Sequence, residues 1–192
     1  MKGMNKTTLV NAIFGAAITM LASAVDAQNA LDAPEFNDED ELLFPANTDM
    51  WIHMGSSLGS EYGDEPFDPE NPGIIGVVQM EPSAYQYFLE NNEYADGTMF
   101  LLSFYSSEAE SSPQLPGFVQ GELEAKEIHL IDKAKYSEGR GFFLYRNNDM
   151  PGSASAKIPD GSACFVCHMA EGNYDGTFTQ FYPIIRDKVP AN

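Results

Sequence analysis

A chain of 192 residues, 43% hydrophobic and 12% aromatic, is long enough for one domain with a sizeable core. Its 29 acidic side chains against 10 basic ones give a net charge of −19. That balance excludes the basic face required by nucleic acid or an anionic membrane, and it leaves cationic or neutral partners or plain solvation of an exported protein.

The first residues, "MKGMNKTTLVNAIFGAAITMLASAVDAQNA", run from two lysines through an apolar stretch to small residues at "VDA". This is the layout of a secretory signal cleaved after Ala27. The apolar stretch is broken by Thr8, Asn11 and Thr19 and is marginal for the ~20 residues of a bilayer span. No later segment is apolar enough to span. Residues 1–27 are therefore expected to be removed, leaving a single domain over 28–192 in a bacterial-type periplasm with no permanent membrane span. Cleavage takes away Lys2, Lys6 and Asp26, so the mature chain keeps 28 acidic and 8 basic side chains.

Along the mature chain, "QNALDAPE" reads as a lead-in and "NDEDE" at 37–41 as an acidic run. Short apolar, β-branched or aromatic runs bounded by Gly, Pro and Asn predict strands at 73–80, 98–105, 126–132 and 141–146. Between the first two, "EPSAYQYFLENN" predicts a helix, with Pro82 in its first turn and Tyr85, Phe88 and Leu89 at helical spacing. A short helix is expected in "TFTQFYPIIRDK" at 177–188, broken or kinked at Pro183. The fold class is mainly β (α+β), an antiparallel sheet with a few peripheral helices. In the strand at 98–105, period 2 places Phe100, Leu102 and Phe104 on one face and Met99, Leu101 and Ser103 on the other.

The only two cysteines, Cys164 and Cys167, sit three apart and are followed at once by His168. A disulfide between them would close a tiny loop and remove little unfolded-state entropy. A redox pair wants a βαβ setting, and nothing upstream reads as one. A zinc site would need further ligands, and only His53 and His129 are available besides His168. The remaining reading is C-x-x-C-H attachment of one c-type haem. In it both thiols add to the vinyl groups and the adjacent imidazole ligates the iron. Only 24 residues follow His168, so a sixth ligand must come from upstream or be absent. His129, Met54 and Met80 are the conceivable ones, although each also fits a structural role.

Three stretches together carry a resemblance: "FNDEDELLFPANTDMWIHMGSSLG" at 36–59, "MEPSAYQYFLENNEYADGT" at 80–98, and "CFVCH" through "DGTFTQFYP" at 164–183. In that order they resemble the cytochrome P-460 family, including its relative cytochrome c′-beta, over nearly all of the mature chain. The resemblance implies a mainly antiparallel β fold, a homodimer and one five-coordinate haem c. Its open iron face would handle nitric oxide or hydroxylamine, either by oxidation or by binding alone.

The oxidising members carry a lysine, cross-linked to the haem edge, on the strand after "DGT". Matching the motif register puts Leu102 there, and leucine cannot form the bond. The family's distal carboxylate aligns with Glu127, a candidate general base if its pKa is raised. Leu102 equally suits core packing, and Glu127 a solvated strand position. His129 shares the face of Glu127 and is a candidate for the distal pocket with Phe100. Trp51, Phe142, Phe143, Tyr145, Phe178, Phe181 and Tyr182 suit packing around a large flat cofactor. The expected function is a periplasmic haem c protein with an open distal site for nitric oxide or a similar small nitrogen species. The alternatives are a hydroxylamine or nitric oxide oxidoreductase with Glu127 as its catalytic base, and a six-coordinate electron carrier with a periplasmic redox partner.

Overall fold

The structure, a computed structural model, describes residues 33–59, 66–110, 114, 116–146 and 152–189. The secretory signal expected over 1–27 lies outside the described residues. Five strands form one antiparallel sheet in chain order: β2 (Ile52–Leu58), β3 (Ile74–Met80), β4 (Thr98–Glu110), β5 (Gly117–Ile131) and β6 (Arg140–Arg146). Two further strands, β1 (Leu42–Leu43) and β7 (Ala154–Ser155), pair as a small second sheet. Among the described residues no helix is long and apolar enough to cross a membrane.

Helix α1 (Pro82–Asn91) joins β3 to β4 where the sequence predicts it. The Glu81 carboxylate accepts hydrogen bonds from the Ser83 and Ala84 N–H groups at 2.9 and 2.7 Å, Pro82 occupies the first turn, and Asn92 ends the helix at φ 55°. Glu81 is buried, so these two donors stand in for lost water. Ala84 and Phe88 are the buried face.

Register divides the sheet into two chemical surfaces. Leu101 opposes Ile128 and Ile128 opposes Phe143, while Met99 opposes Leu130. These residues gather with Leu42, Phe44, Trp51 and Tyr145 into the core. Burying each such large apolar side chain contributes about 1.5–3 kcal/mol before conformational entropy is charged. The Tyr145 hydroxyl donates to the Leu42 carbonyl at 2.8 Å and ties β1 to this core. On the other surface two cross-strand rows run from β3 to β6: Met80, Phe100, His129, Phe142, and Val78, Leu102, Glu127, Leu144.

Three expectations change in extent, the strand expected at 98–105 running on to Glu110. The strand predicted at 126–132 starts nine residues earlier, at Gly117. Its first half is mostly exposed and is held by pairing with the outer part of β4 rather than by burial, so its polar, glycine-bearing sequence lacks a strand's apolar pattern. The helix expected in 177–188 shrinks to one 3₁₀ turn, Thr179–Phe181. Pro183 follows two residues on and has no N–H to continue it.

The C-terminal segment lies against β2 at Gly55. A Cβ there would stand 2.6 Å from the Phe181 carbonyl oxygen. Gly55→Val should therefore force the segment off the sheet and cost about 1–3 kcal/mol in urea unfolding. Gly117→Val, where nothing lies within 4 Å, should be near neutral. Equal effects of the two substitutions would contradict this packing.

Candidate functional site

Helix α2 (Ala163–Glu171) carries Cys164, Cys167 and His168. Separations of three and four residues place the three side chains on one helical face. Ser162 caps the start, its hydroxyl accepting from the Phe165 N–H at 3.4 Å, and the Gly172 N–H closes the end on the His168 carbonyl at 3.1 Å. Both thiols are free, Cys164 half-buried and Cys167 exposed. Burial, then the negative charge of Glu127, pushes the Cys164 pKa up.

All three side chains open onto a cavity of about 300 Å³ whose opposite wall is the sheet surface carrying Phe100, Leu102 and Phe104. Glu127 and His129 line it from β5, and Phe142, Phe178, Phe181 and Tyr182 complete the aromatic wall. Phe100, Leu102, Glu127, His129, Cys164, Cys167 and His168 thus meet in one place, whereas Trp51, Phe143 and Tyr145, expected around the cofactor, belong to the core on the other surface of the sheet. Among the described residues no lysine lines the cavity. Lys126 leaves β5 on the opposite surface, with Nζ 5.1 Å from the centre of the Phe44 ring. Met54 and Met80 are buried without lining the cavity, and His53 is exposed on β2 beside Ser56. A larger cavity of about 470 Å³, on the core side among Pro34, Phe44, Trp51 and Met99, has no cysteine or histidine in its wall.

The His168 ring is fixed on several sides. Its Nδ1–H donates to the Gly176 carbonyl at 2.8 Å, which leaves Nε2 as the nitrogen with a free lone pair. The rings of Phe142, Phe178 and His129 stand 4.6, 4.7 and 5.0 Å from it, centre to centre. Burial lowers the His168 pKa; the Gly176 carbonyl opposes that shift and the Arg140 charge adds to it. The imidazole is therefore held neutral, the state in which it can bind a metal.

His129 is buried and stacked on Phe142 at 4.5 Å, with no hydrogen-bond partner for its Nε2. Burial first, then the neighbouring His168 and Arg140, holds its pKa well below the usual value. Among the described residues there is no cluster of three or more His, Cys, Asp or Glu of the kind that holds a bare metal ion. Two free thiols, one neutral imidazole and a slab-like apolar wall fit a haem instead.

The family model for cytochrome P-460 matches residues 51–179, from the tryptophan ahead of β2 to the 3₁₀ turn after the C-x-x-C-H helix. The chain belongs to the cytochrome P-460 family. It is a haem c cytochrome, and iron is its metal. No curated protein sequence matches the chain.

Sequence reasoning missed the scaffold that holds His168. Asp175 and Gly176 have φ of 46° and 64°, and the turn they form presents the Gly176 carbonyl to His168. The "DG" pair is a turn signal that could have located it. Buried Arg140 grips the turn through Asp175, and no local signal links the two, since 35 residues separate them.

In haem-free protein, iodoacetamide at pH 8 should label exposed Cys167 several-fold faster than Cys164, whose raised pKa leaves less thiolate. Glu127→Gln should speed Cys164 alone by removing the nearby negative charge. Equal labelling rates, unaffected by that substitution, would contradict the arrangement.

Proposed function

We propose that this member of the cytochrome P-460 family is a periplasmic mono-haem c protein in which Cys164 and Cys167 attach the haem, His168 Nε2 ligates its iron, and nitric oxide or a similar small nitrogen species binds at an open position. The carrying observation is that the thiols and the neutral imidazole share one helical face and open together onto an apolar cavity. The bound haem supplies a redox-active iron that accepts a small ligand. Phe100, Leu102 and Phe104 contribute bulk and hydrocarbon to that cavity and no lone pair. Such a wall favours a small neutral diatomic over a charged or hydrated ligand, whose desolvation is unfavourable.

His129 is an unsuitable sixth ligand in this arrangement, since its ring already lies against His168. That weighs against the electron carrier. The position of Glu127 on the cavity wall favours a second reading, oxidation of nitric oxide or hydroxylamine, because its carboxylate is placed to take up a proton. Leu102 occupies the position where the resemblance puts the cross-linking lysine, so such turnover would proceed without a cross-link. Export to the periplasm is supported by the lysine, apolar and small-residue pattern of residues 1–27.

The test is mass spectrometry and haem staining on a denaturing gel. The intact mass should equal residues 28–192 plus one haem, with haem retained after denaturation and no lysine joined to it. Replacing both cysteines with alanine should abolish retention. His168→Ala should keep the haem attached while removing its strong-field ligand. Haem released freely from the wild-type protein would refute the assignment.

A further inference from the structure

The loop after α2 doubles back so tightly that a Cβ on Gly172 would lie 2.5 Å from the His168 carbonyl oxygen and 2.7 Å from the Gly176 carbonyl carbon. The fold-back brings the Gly176 oxygen to His168 Nδ1. It requires two consecutive residues in the left-handed region, Asp175 and Gly176, and the first of these has a side chain. A turn of that kind persists only where its surroundings over-determine it.

The restraint comes from the start of β6. Arg140 is 4% exposed, with Nε donating to the Glu138 carbonyl at 3.3 Å, Nη1 to the Asp175 carbonyl, and Nη2 to Asp175 Oδ1 at 2.9 Å. Lys133 Nζ adds an outer ion pair to Asp175 Oδ2 at 3.0 Å and is more than half exposed. A Cβ on Gly176 would collide with Arg140 Nη1, so the glycine and the guanidinium fit each other. The fork reaches the backbone and the side chain of Asp175 at once, which a lysine ammonium cannot do with the same planar geometry.

We propose that Arg140 is the positioning residue of the iron-binding imidazole: by clamping Asp175 it fixes the Gly176 carbonyl on His168 Nδ1–H and so sets how strongly Nε2 donates to the haem iron. This rests on His168 being the iron ligand, as proposed above. A firm hydrogen bond at Nδ1 makes the imidazole a stronger donor, and partners outside the ligand shell tune a metal in this way. A stronger donor stabilises ferric over ferrous iron. Loosening the clamp therefore weakens the iron–histidine bond and raises the midpoint potential.

Arg140→Lys in the holoprotein keeps the positive charge and removes the fork, so a change in net charge does not confuse the readout. The ferrous iron–histidine stretching band should move to lower frequency and the midpoint potential should move upward. Lys133→Gln, which touches only the outer oxygen of Asp175, should leave both near wild type. Should Arg140→Lys fail to fold, Asp175→Asn decides: asparagine tolerates the left-handed conformation and loses only the charged partner of the clamp. The same downward band shift then supports the proposal, and an unmoved band overturns it. A normal wild-type band that folded Arg140→Lys leaves in place, with an unchanged potential, overturns the positioning role alone. A ferrous wild-type protein with no iron–histidine band overturns ligation by His168 itself, and this inference with it.

Discussion

The pairing register of β4, β5 and β6 is the constraint on which the rest of the molecule depends. Side chains alternate across a strand, so a given register assigns every residue of these strands either to the core or to the cavity. Leu101, Ile128 and Phe143 fall on the core side, and Leu102, Glu127 and Leu144 share the opposite row. A slip that put Glu127 in the place of Ile128 would bury it between Leu101 and Phe143 and would turn Ile128 toward the site. The hydrophobic core thus fixes the chemistry of the cavity wall. It also keeps Lys126 on the side facing away from the cavity, over Phe44.

Against that wall the C-terminal segment brings a single reactive face. Helix α2 aligns the two thiols and the imidazole, and the loop behind it turns the imidazole's second nitrogen into a hydrogen-bond donor. Strand β6 serves both halves. Phe142 packs on the rings of His129 and His168, while Arg140, two residues earlier, clamps the turn that carries Gly176. Burial holds both imidazoles neutral, so His168 keeps a lone pair for a metal without competition from a proton. The excess of acidic side chains elsewhere leaves this interior almost untouched, Glu127 being the carboxylate that lines the cavity.

What could be read from the sequence follows the range of the forces involved. The strands at 73–80, 98–105 and 141–146 and the helix after Glu81 were legible because burial and capping leave local patterns. The alternation over 99–104 sorted the side chains into two faces, but which face is core and which lines the cavity depends on what packs against each. The first half of β5 was not legible, since its order comes from a neighbouring strand rather than from its own side chains. Strands β1 and β7, two residues each, offer too little pattern. Cys164, Cys167 and His168 stood out because haem attachment would dictate such a spacing, and the fold gathers them on one helix beside one cavity. Helix α2 around them was not read, although Ser162 and Gly172 mark its ends. Arg140 escaped because its role exists only through Asp175, 35 residues away. The sequence left open whether His129 could be a sixth ligand, and its place against the His168 ring is a purely tertiary fact.

As proposed, His168 alone supplies the protein's strong ligand to the haem iron and a position stays open inside an apolar cavity. Electronic absorption and paramagnetic resonance of the purified protein, ferric and ferrous, before and after nitric oxide, test it most directly. The resting iron should be high-spin, five-coordinate or carrying only water, and the ferrous form should bind nitric oxide. A low-spin, six-coordinate resting spectrum that turns high-spin in His129→Ala would contradict it.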